Sequence, residues 1–260
     1  MRITLQKNSL DLSVVIPTLN EGPNLYRLLP RLKEALEELR AQYEILVIDA
    51  HSQDGTESIV NSAGATYIFE EQPGYGNAII RGLTEAKGTY VLTMDADLSH
   101  PADFVKNLWG VREDADITIA SRYVPGGHAE QPLFRLFLSR VLNIFYGKGL
   151  SIRVKDLSSG YRLYRKNIFS RLDLEFTNFV LLIDILLKAH GQGFAVQEVA
   201  FHYKPRGSGS SKARILKFGL DYLRLFCRVW KIRNAVRPTT AAAAPAEKPV
   251  VLQPEDWPAS

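Results

Sequence analysis

The sequence predicts an α/β protein built on a mainly parallel, doubly wound sheet with flanking helices and a C-terminal amphipathic helix. Two observations predict it. Short, β-prone apolar runs alternate with longer segments of helical periodicity through the first 120 residues, the pattern of repeated strand–helix units. The polar residues also cluster directly after those runs, as expected where an open α/β sheet gathers a ligand site at the carboxyl ends of its strands.

The elements justify themselves in order. Leu12 to Ile16 is a continuous apolar strand, ended by Pro17 and the polar turn Thr18 to Glu21. A helix is expected from about Pro23 to Arg40, where Leu25, Leu28, Leu29, Leu32, Leu36 and Leu39 form one apolar stripe. Glu44 to Ile48 is the second strand, with Asp49 at its end. Ser52 to Thr56 turns into a helix reaching about Ala63, and Thr66 to Phe69 is the third strand. Gly74 to Asn77 opens a helix that runs to about Ala86. Thr89 to Met94 is a fourth strand, a helix is expected from Pro101, and Asp116 to Ser121 is a fifth strand.

Beyond Arg122 the texture changes. Pro132 to Tyr146 reads as an amphipathic helix with Arg135, Ser139 and Asn143 on one face at four-residue spacing. The stretch from Val154 to Tyr164 carries DLSSGYRLY, a helix runs from about Phe179 to His190, and Val196 to Tyr203 is a late strand. A basic Gly/Ser loop, 204–211, leads to a helix from about Lys212 to Asn234. Its polar residues Arg214, Lys217, Asp221, Arg224, Arg228 and Lys231 form a narrow, mostly basic stripe among Ile, Leu, Phe, Tyr and Trp. The organisation is therefore an N-terminal extension over 1–11, a domain over 12–234 with halves 12–123 and 124–234, and a Pro/Ala-rich disordered tail over 235–260.

Composition narrows the function classes. A hydrophobic content of 46% and a charged content of 23% are ordinary for a globular protein. One cysteine, Cys227, excludes an internal disulfide framework and fits a reducing compartment. The first eleven residues lack the apolar core of a signal peptide, and no uncharged apolar run is long enough to span a bilayer. From Phe201 to Arg237 there are ten Lys/Arg against one acid, Asp221, so an otherwise acidic body carries a basic C-terminal segment. That pattern suits an anionic membrane surface; no nucleic-acid-binding motif accompanies it. The expected location is cytoplasmic, peripheral at the inner face of the membrane.

The chemistry centres on YVLTMDADLSHP, 90–101. Asp95 and Asp97 follow a buried strand with only Ala96 between them. Carboxylates that close repel, and each raises the other's pKa unless a cation neutralises them. Hard oxygen ligands of this kind suit Mg2+ or Mn2+ carrying a diphosphate. A solvated turn, with Asp97 or Ser99 capping the next helix, is the competing reading of the same residues.

Seven stretches, in order, decide between them: VVIPTLNE at 14–21, VIDAHSQDGT at 47–56, GYGNAIIRGLTEAKG at 74–88, MDADLSHP at 94–101, ASRYVPGG at 120–127, DLSSGYRLYRK at 156–166 and RGSGSSK at 206–212. Together they resemble family-2 glycosyltransferases of the GT-A fold, in particular the polyprenyl (dolichyl) phosphate mannose or glucose synthase branch, over about residues 12 to 233. The resemblance implies a nucleotide pocket lined by Pro17, Leu19 and Glu21, with Asp49 facing the base or ribose. A turn bond or helix cap is the alternative for Asp49. It implies that Asp95 and Asp97 hold the metal and diphosphate, and that Arg122 neutralises phosphate. Arg206 and Lys212 would belong to a loop closing over the diphosphate. Arg135 and Ser139 fall where that branch binds its acceptor phosphate. Asp156 and Arg162 match its D-x-[ST]-[GS]-x-[FY]-R segment, where a structural Asp–Arg pair competes with a functional role.

What the resemblance implies is a metal-dependent inverting transfer of a hexose from GDP- or UDP-hexose to a polyprenyl phosphate. Three departures qualify it. Ala50, followed by His51, stands where the family usually has a second acid. Leu182-Ile183-Asp184 replaces the branch's frequent Gln-x-Glu, and the C-terminal transmembrane helices of some relatives are missing. Transfer to a glycan hydroxyl would need a general base, with Asp184 or Asp156 as candidates. A non-catalytic nucleotide-sugar or lipid-phosphate binding module is the rival from outside enzymology. His51 and His100 could approach the metal, but as lone histidines in turns they are expected to be solvated.

Overall fold

The computed structural model describes residues 10–130 and 153–203 together with Cys227. The helices expected at 132–146 and 212–234, the tail, and the site residues Arg135, Ser139, Arg206 and Lys212 lie outside the described residues.

The chain begins with β1 (Leu10–Thr18), α1 (Gly22–Glu37), β2 (Tyr43–Asp49), α2 (Thr56–Ser62), β3 (Thr66–Phe69), α3 (Tyr75–Glu85) and β4 (Gly88–Thr93). A 3-10 turn, Ala102–Phe104, then leads into α4 (Val105–Gly110), β5 (Ile117–Ser121) and β6 (His128–Ala129). After residue 152 come β7 (Arg162–Arg165), a 3-10 turn over Lys166–Ser170, α5 (Leu181–Gly191), β8 (Val196–Ala200) and β9 (His202–Tyr203). Seven strands form one sheet in the order β3-β2-β1-β4-β7-β5-β8. All neighbours are parallel except β7, which runs antiparallel to both β4 and β5. A small parallel pair, β6 with β9, stands apart from it.

The central strands of the sheet are buried on both faces, which is why they read as continuous apolar runs rather than alternating ones. Side chains alternate along β1: Leu12, Val14 and Ile16 join the Leu stripe of α1, Val60 of α2 and Leu108 of α4. Val15 points the other way, into a second core with Ile79 and Leu83 of α3 and Ile183, Leu186 and Leu187 of α5. Helices on both faces with parallel crossovers are the doubly wound arrangement expected.

Three expectations need correction. The strand β7 was missed because RLYR is short and begins and ends in arginine, a pattern that reads as surface. The expected late strand, 196–203, is two strands broken at Phe201, whose side chain turns into the core. The helix expected at Pro101 starts later, since Pro101 is extended and a 3-10 turn intervenes.

Close packing fixes α3 over the sheet. A Cβ added at Gly82 would stand 2.2 Å from Val15 Cγ1. A stiff valine on a central strand cannot retreat, so Gly82→Ala should cost about 1–3 kcal/mol through overpacking. That exceeds the roughly 1 kcal/mol of helix propensity gained. Urea unfolding of the variant checks it; a midpoint above that of the wild type would mean that α3 is not held this close to β1.

Candidate active site

The carboxyl ends of β1, β2, β4 and β5 all reach one edge of the sheet, because these strands are parallel. The four polar loops that follow these strands, Pro17 to Glu21, Asp49 to Asp54, Asp95 to His100 and Ser121 to Tyr123, are therefore gathered on that edge, as the polar clusters after the strands predict. The β1 and β2 loops are tied together. Asn20 donates its backbone N–H to Ser52 Oγ at 2.6 Å and accepts from the Gln53 N–H at 2.9 Å. The Gly22 N–H donates to Asp54 Oδ2 at 2.7 Å, where α1 begins. Of the expected nucleotide-pocket residues, Pro17 is half-buried and Leu19 is exposed. Glu21 accepts from Asn24 Nδ2 at 2.7 Å.

Asp49 is buried and turned inward. It accepts from the Ser52 N–H at 3.0 Å, from the Ser52 hydroxyl, and from the Tyr67 hydroxyl at 2.9 Å. Burial and the adjoining Asp49 carboxylate push the Tyr67 phenol up to about 12, so it stays a donor. The turn-bond reading of Asp49 describes these contacts. Next to it, Ala50 is buried while His51 is exposed, edge-on to Phe69 with ring centroids 4.7 Å apart.

The Asp-x-Asp turn follows β4. Asp95 keeps 28% of its side chain exposed, whereas Asp97 is buried with Oδ1 accepting from the Ser99 N–H at 3.1 Å and from the Ser99 hydroxyl. Neither Asp97 nor Ser99 caps the following helix. Between them, Leu98 holds a φ of +64°, a conformation costly for a branched side chain and compensated here by the turn bonds.

His100 is not solvated as expected. It is buried, stacks on Tyr161 at 4.8 Å, and accepts the Asp95 backbone N–H on Nδ1 at 2.9 Å. In the neutral ring the proton is then on Nε2, 3.9 Å from Asp95 Oδ2. Burial pushes the His100 pKa down, against the opposing pull of the Asp95 and Asp97 carboxylates.

Arg122 follows β5 and meets the DLSSGY segment. Its Nε and Nη2 donate to the two oxygens of Asp156, each at 2.7 Å, and Nη2 also reaches Ser158 Oγ at 2.8 Å. This is a buried bidentate pair, with Arg122 at 11% exposure and Asp156 at 0%. Burial alone would lift the Asp156 carboxyl, but the guanidinium holds it below the usual carboxylate range. The Asp–Arg pair expected within the segment therefore forms differently: Asp156 takes Arg122. Arg162 instead donates to the Leu182 and Leu157 carbonyls at 2.6 and 2.7 Å. The short motif spacing gave no sign that a residue 34 positions earlier was the partner.

Both candidate bases are fully buried among the described residues. Asp156 is locked as described, and Asp184, fully buried, accepts from Lys188 Nζ at 2.8 Å, one helical turn away.

Tyr75 is a site residue that sequence reasoning passed over, because it reads as an ordinary apolar position at the start of α3. Its hydroxyl donates to Asp95 Oδ1 at 3.3 Å, and its ring stacks on Phe179 at 4.1 Å. Burial, with Asp95 beside it, pushes the Tyr75 phenol well up.

A divalent cation fits this donor set. Among the described residues no group of three or more His, Cys, Asp or Glu side chains could hold a metal by itself. Two carboxylates, one of them solvent-facing, are what Mg2+ or Mn2+ requires when substrate phosphates and water complete the shell.

The model of Glycosyl transferase family 2 matches residues 13–173. A curated dolichol-phosphate mannosyltransferase of Pyrococcus furiosus is 34% identical over 232 residues, covering 85% of this chain; the chain spans 64% of that relative's length. A polyprenol monophosphomannose synthase of Mycolicibacterium smegmatis is also 34% identical, over 76% of this chain and 79% of its own. Among solved structures, glucosyl-3-phosphoglycerate synthase from Mycobacterium tuberculosis, in complex with Mn2+, UDP and glucosyl-3-phosphoglycerate, superposes with a TM-score of 0.66. It is 17% identical and covers 89% of this chain and 82% of its own, a likeness of fold alone.

Proposed function

We propose that this chain, which belongs to glycosyl transferase family 2 and has the GT-A fold, moves a hexose with inversion from a nucleoside diphosphate sugar to a polyprenyl phosphate at a membrane surface. The observation that carries the reading is the turn at Asp95 and Asp97, at the carboxyl edge where four loops converge, in a chain 34% identical to two polyprenyl-phosphate mannose synthases. Asp95 and Asp97 would hold Mg2+ or Mn2+, which when bound neutralises the charge that develops on the departing diphosphate. Pro17, Leu19 and Glu21 line the nucleotide side. Asp49 supports that pocket by holding the Ser52 turn to which Asn20 is tied. Arg122 keeps its charge close to the developing anion while Asp156 fixes its plane. Arg206 and Lys212 would close over the diphosphate, and Arg135 and Ser139 would meet the acceptor phosphate.

The two candidate bases among the described residues bear on the choice of acceptor. A phosphate is ionised at neutral pH and needs little help to attack, whereas a hydroxyl needs a proton acceptor. With Asp156 paired to Arg122 and Asp184 to Lys188, neither suits that task. The family and these two ion pairs thus support a phosphate acceptor over a glycan hydroxyl. Asp95 and Asp97 speak for a catalyst over a passive binding module.

Among the described residues no helix is long and apolar enough to cross a membrane. The basic stripe from Arg214 to Lys231 would instead attract an anionic surface, at roughly 1 kcal/mol per cation. The test supplies labelled GDP-mannose or UDP-glucose, manganese, and anionic vesicles containing polyprenyl phosphate. The label should sediment with the vesicles, and less of it should do so as salt rises. Label released only as free sugar, or, with a soluble glycan added alongside the vesicles, transferred only to that glycan, would overturn the proposal.

A further inference from the structure

We propose that Tyr75 is a positioning residue that fixes the orientation of the Asp95 carboxylate for metal and diphosphate, and that Gly160 is present to admit its hydroxyl. The inference rests on the metal-site reading above and assigns the device that makes Asp95 competent. Asp95 is the more exposed of the two aspartates, so its orientation depends on the groups that contact it. Three elements converge on it. From the amino end of α3, the Tyr75 hydroxyl donates to Oδ1 at 3.3 Å. From the turn after Asp97, His100 stands 3.9 Å from Oδ2. From the DLSSGY segment, Gly160 closes the third side.

The tyrosine is itself held. Its ring stacks on Phe179 at 4.1 Å with planes 17° apart. The helix start is pressed on the same segment, since a Cβ at Gly76 would stand 2.4 Å from the Thr177 carbonyl carbon, and the Gly76 N–H donates to Thr177 O at 3.0 Å. Gly160 is anchored from the opposite side, where its carbonyl accepts from the Thr93 hydroxyl at 2.8 Å. A Cβ at Gly160 would stand 2.8 Å from the Tyr75 hydroxyl and 3.4 Å from Asp95 Oδ1. The backbone passes so close that only a hydrogen fits there without displacing the phenol. A rigid ring, stacked at its face and closely approached at its tip, holds the hydroxyl within donating distance of Asp95 Oδ1. Functional carboxylates gain from being held this way before the ligand arrives.

Tyr75→Phe keeps the ring and its stack and removes only the hydroxyl. Calorimetric titration with UDP and with GDP, each with and without manganese, should show the manganese-dependent part of the affinity falling about tenfold. Metal-free binding and the unfolding midpoint should stay unchanged. Gly160→Ala should produce a similar loss, because its methyl group displaces the hydroxyl. The double variant should be no worse than Tyr75→Phe, since the methyl then enters the space that the oxygen left. An unchanged manganese dependence in Tyr75→Phe overturns the proposal, as do strictly additive losses in the double variant. If the wild type itself takes up neither nucleotide with manganese, the metal-site reading falls and the positioning role falls with it.

Discussion

Asp97→Asn should abolish manganese-dependent binding of a nucleoside diphosphate while leaving the fold intact. Asp97 is 4% exposed, and its Oδ1 already accepts from the Ser99 N–H and hydroxyl. Asparagine presents the same oxygen to the same donors, so the turn around Leu98 keeps its bonds. What disappears is the negative charge beside Asp95. Changes to groups that merely support a metal ligand cost about 10- to 100-fold in metal affinity, so removing the charge of a ligand should cost at least about 100-fold. The measurement is calorimetry of the variant with UDP or GDP and manganese, beside a thermal melt. Undiminished affinity in a folded variant would remove the Asp-x-Asp turn from the proposed mechanism.

How far the sequence could be read follows from the range of each interaction. The alternation of strand and helix is local, and every element through Thr93 appeared within a few residues of its expected place, because each is signalled by its own apolar periodicity. The convergence of four loops was readable for the same reason: parallel strands must put their carboxyl ends on one edge. β7 was not readable. Its place between β4 and β5 rests on antiparallel pairing with strands far away in sequence, and there Arg162 donates to the Leu182 and Leu157 carbonyls, 20 and 5 residues away, which turns a charged side chain into a core residue. The site divides in the same way. Asp95 and Asp97 announce themselves by spacing. The Arg122–Asp156 pair, the burial of His100 under Tyr161 and the reach of Tyr75 to Asp95 depend on which loops pack together. Left-handed backbone at Asn20, His51 and Leu98 was equally hidden, since none of them is glycine.

The second large effect lies in the Arg122–Asp156 pair. Asp156→Ala should lower the unfolding free energy by about 3–5 kcal/mol, the range found when one partner of a buried ion pair is removed. Arg122, at 11% exposure, would lose its bidentate acceptor, and the backbone N–H groups of Arg122 and Ser159 would lose theirs. The double variant Arg122→Met/Asp156→Asn should recover about half of that loss, because the Arg122 charge is gone and the asparagine oxygen still accepts from one of the two N–H groups, which the carboxylate serves with separate oxygens. pH separates the charge from the packing. The folded-state pKa of Asp156 is depressed below its unfolded value, so its contribution is present above the unfolded value, about 4. It is lost as pH falls through the folded one. Wild-type stability should therefore fall more steeply over that acid window than the stability of the double variant. Urea denaturation from neutral pH downward reads both effects. If Asp156→Ala unfolds within about 1 kcal/mol of the wild type, the pair is not desolvated in solution. If the double variant is folded yet transfers no sugar, Arg122 serves the diphosphate as well as the fold. Full activity in that double variant would leave Arg122 a purely structural partner of Asp156.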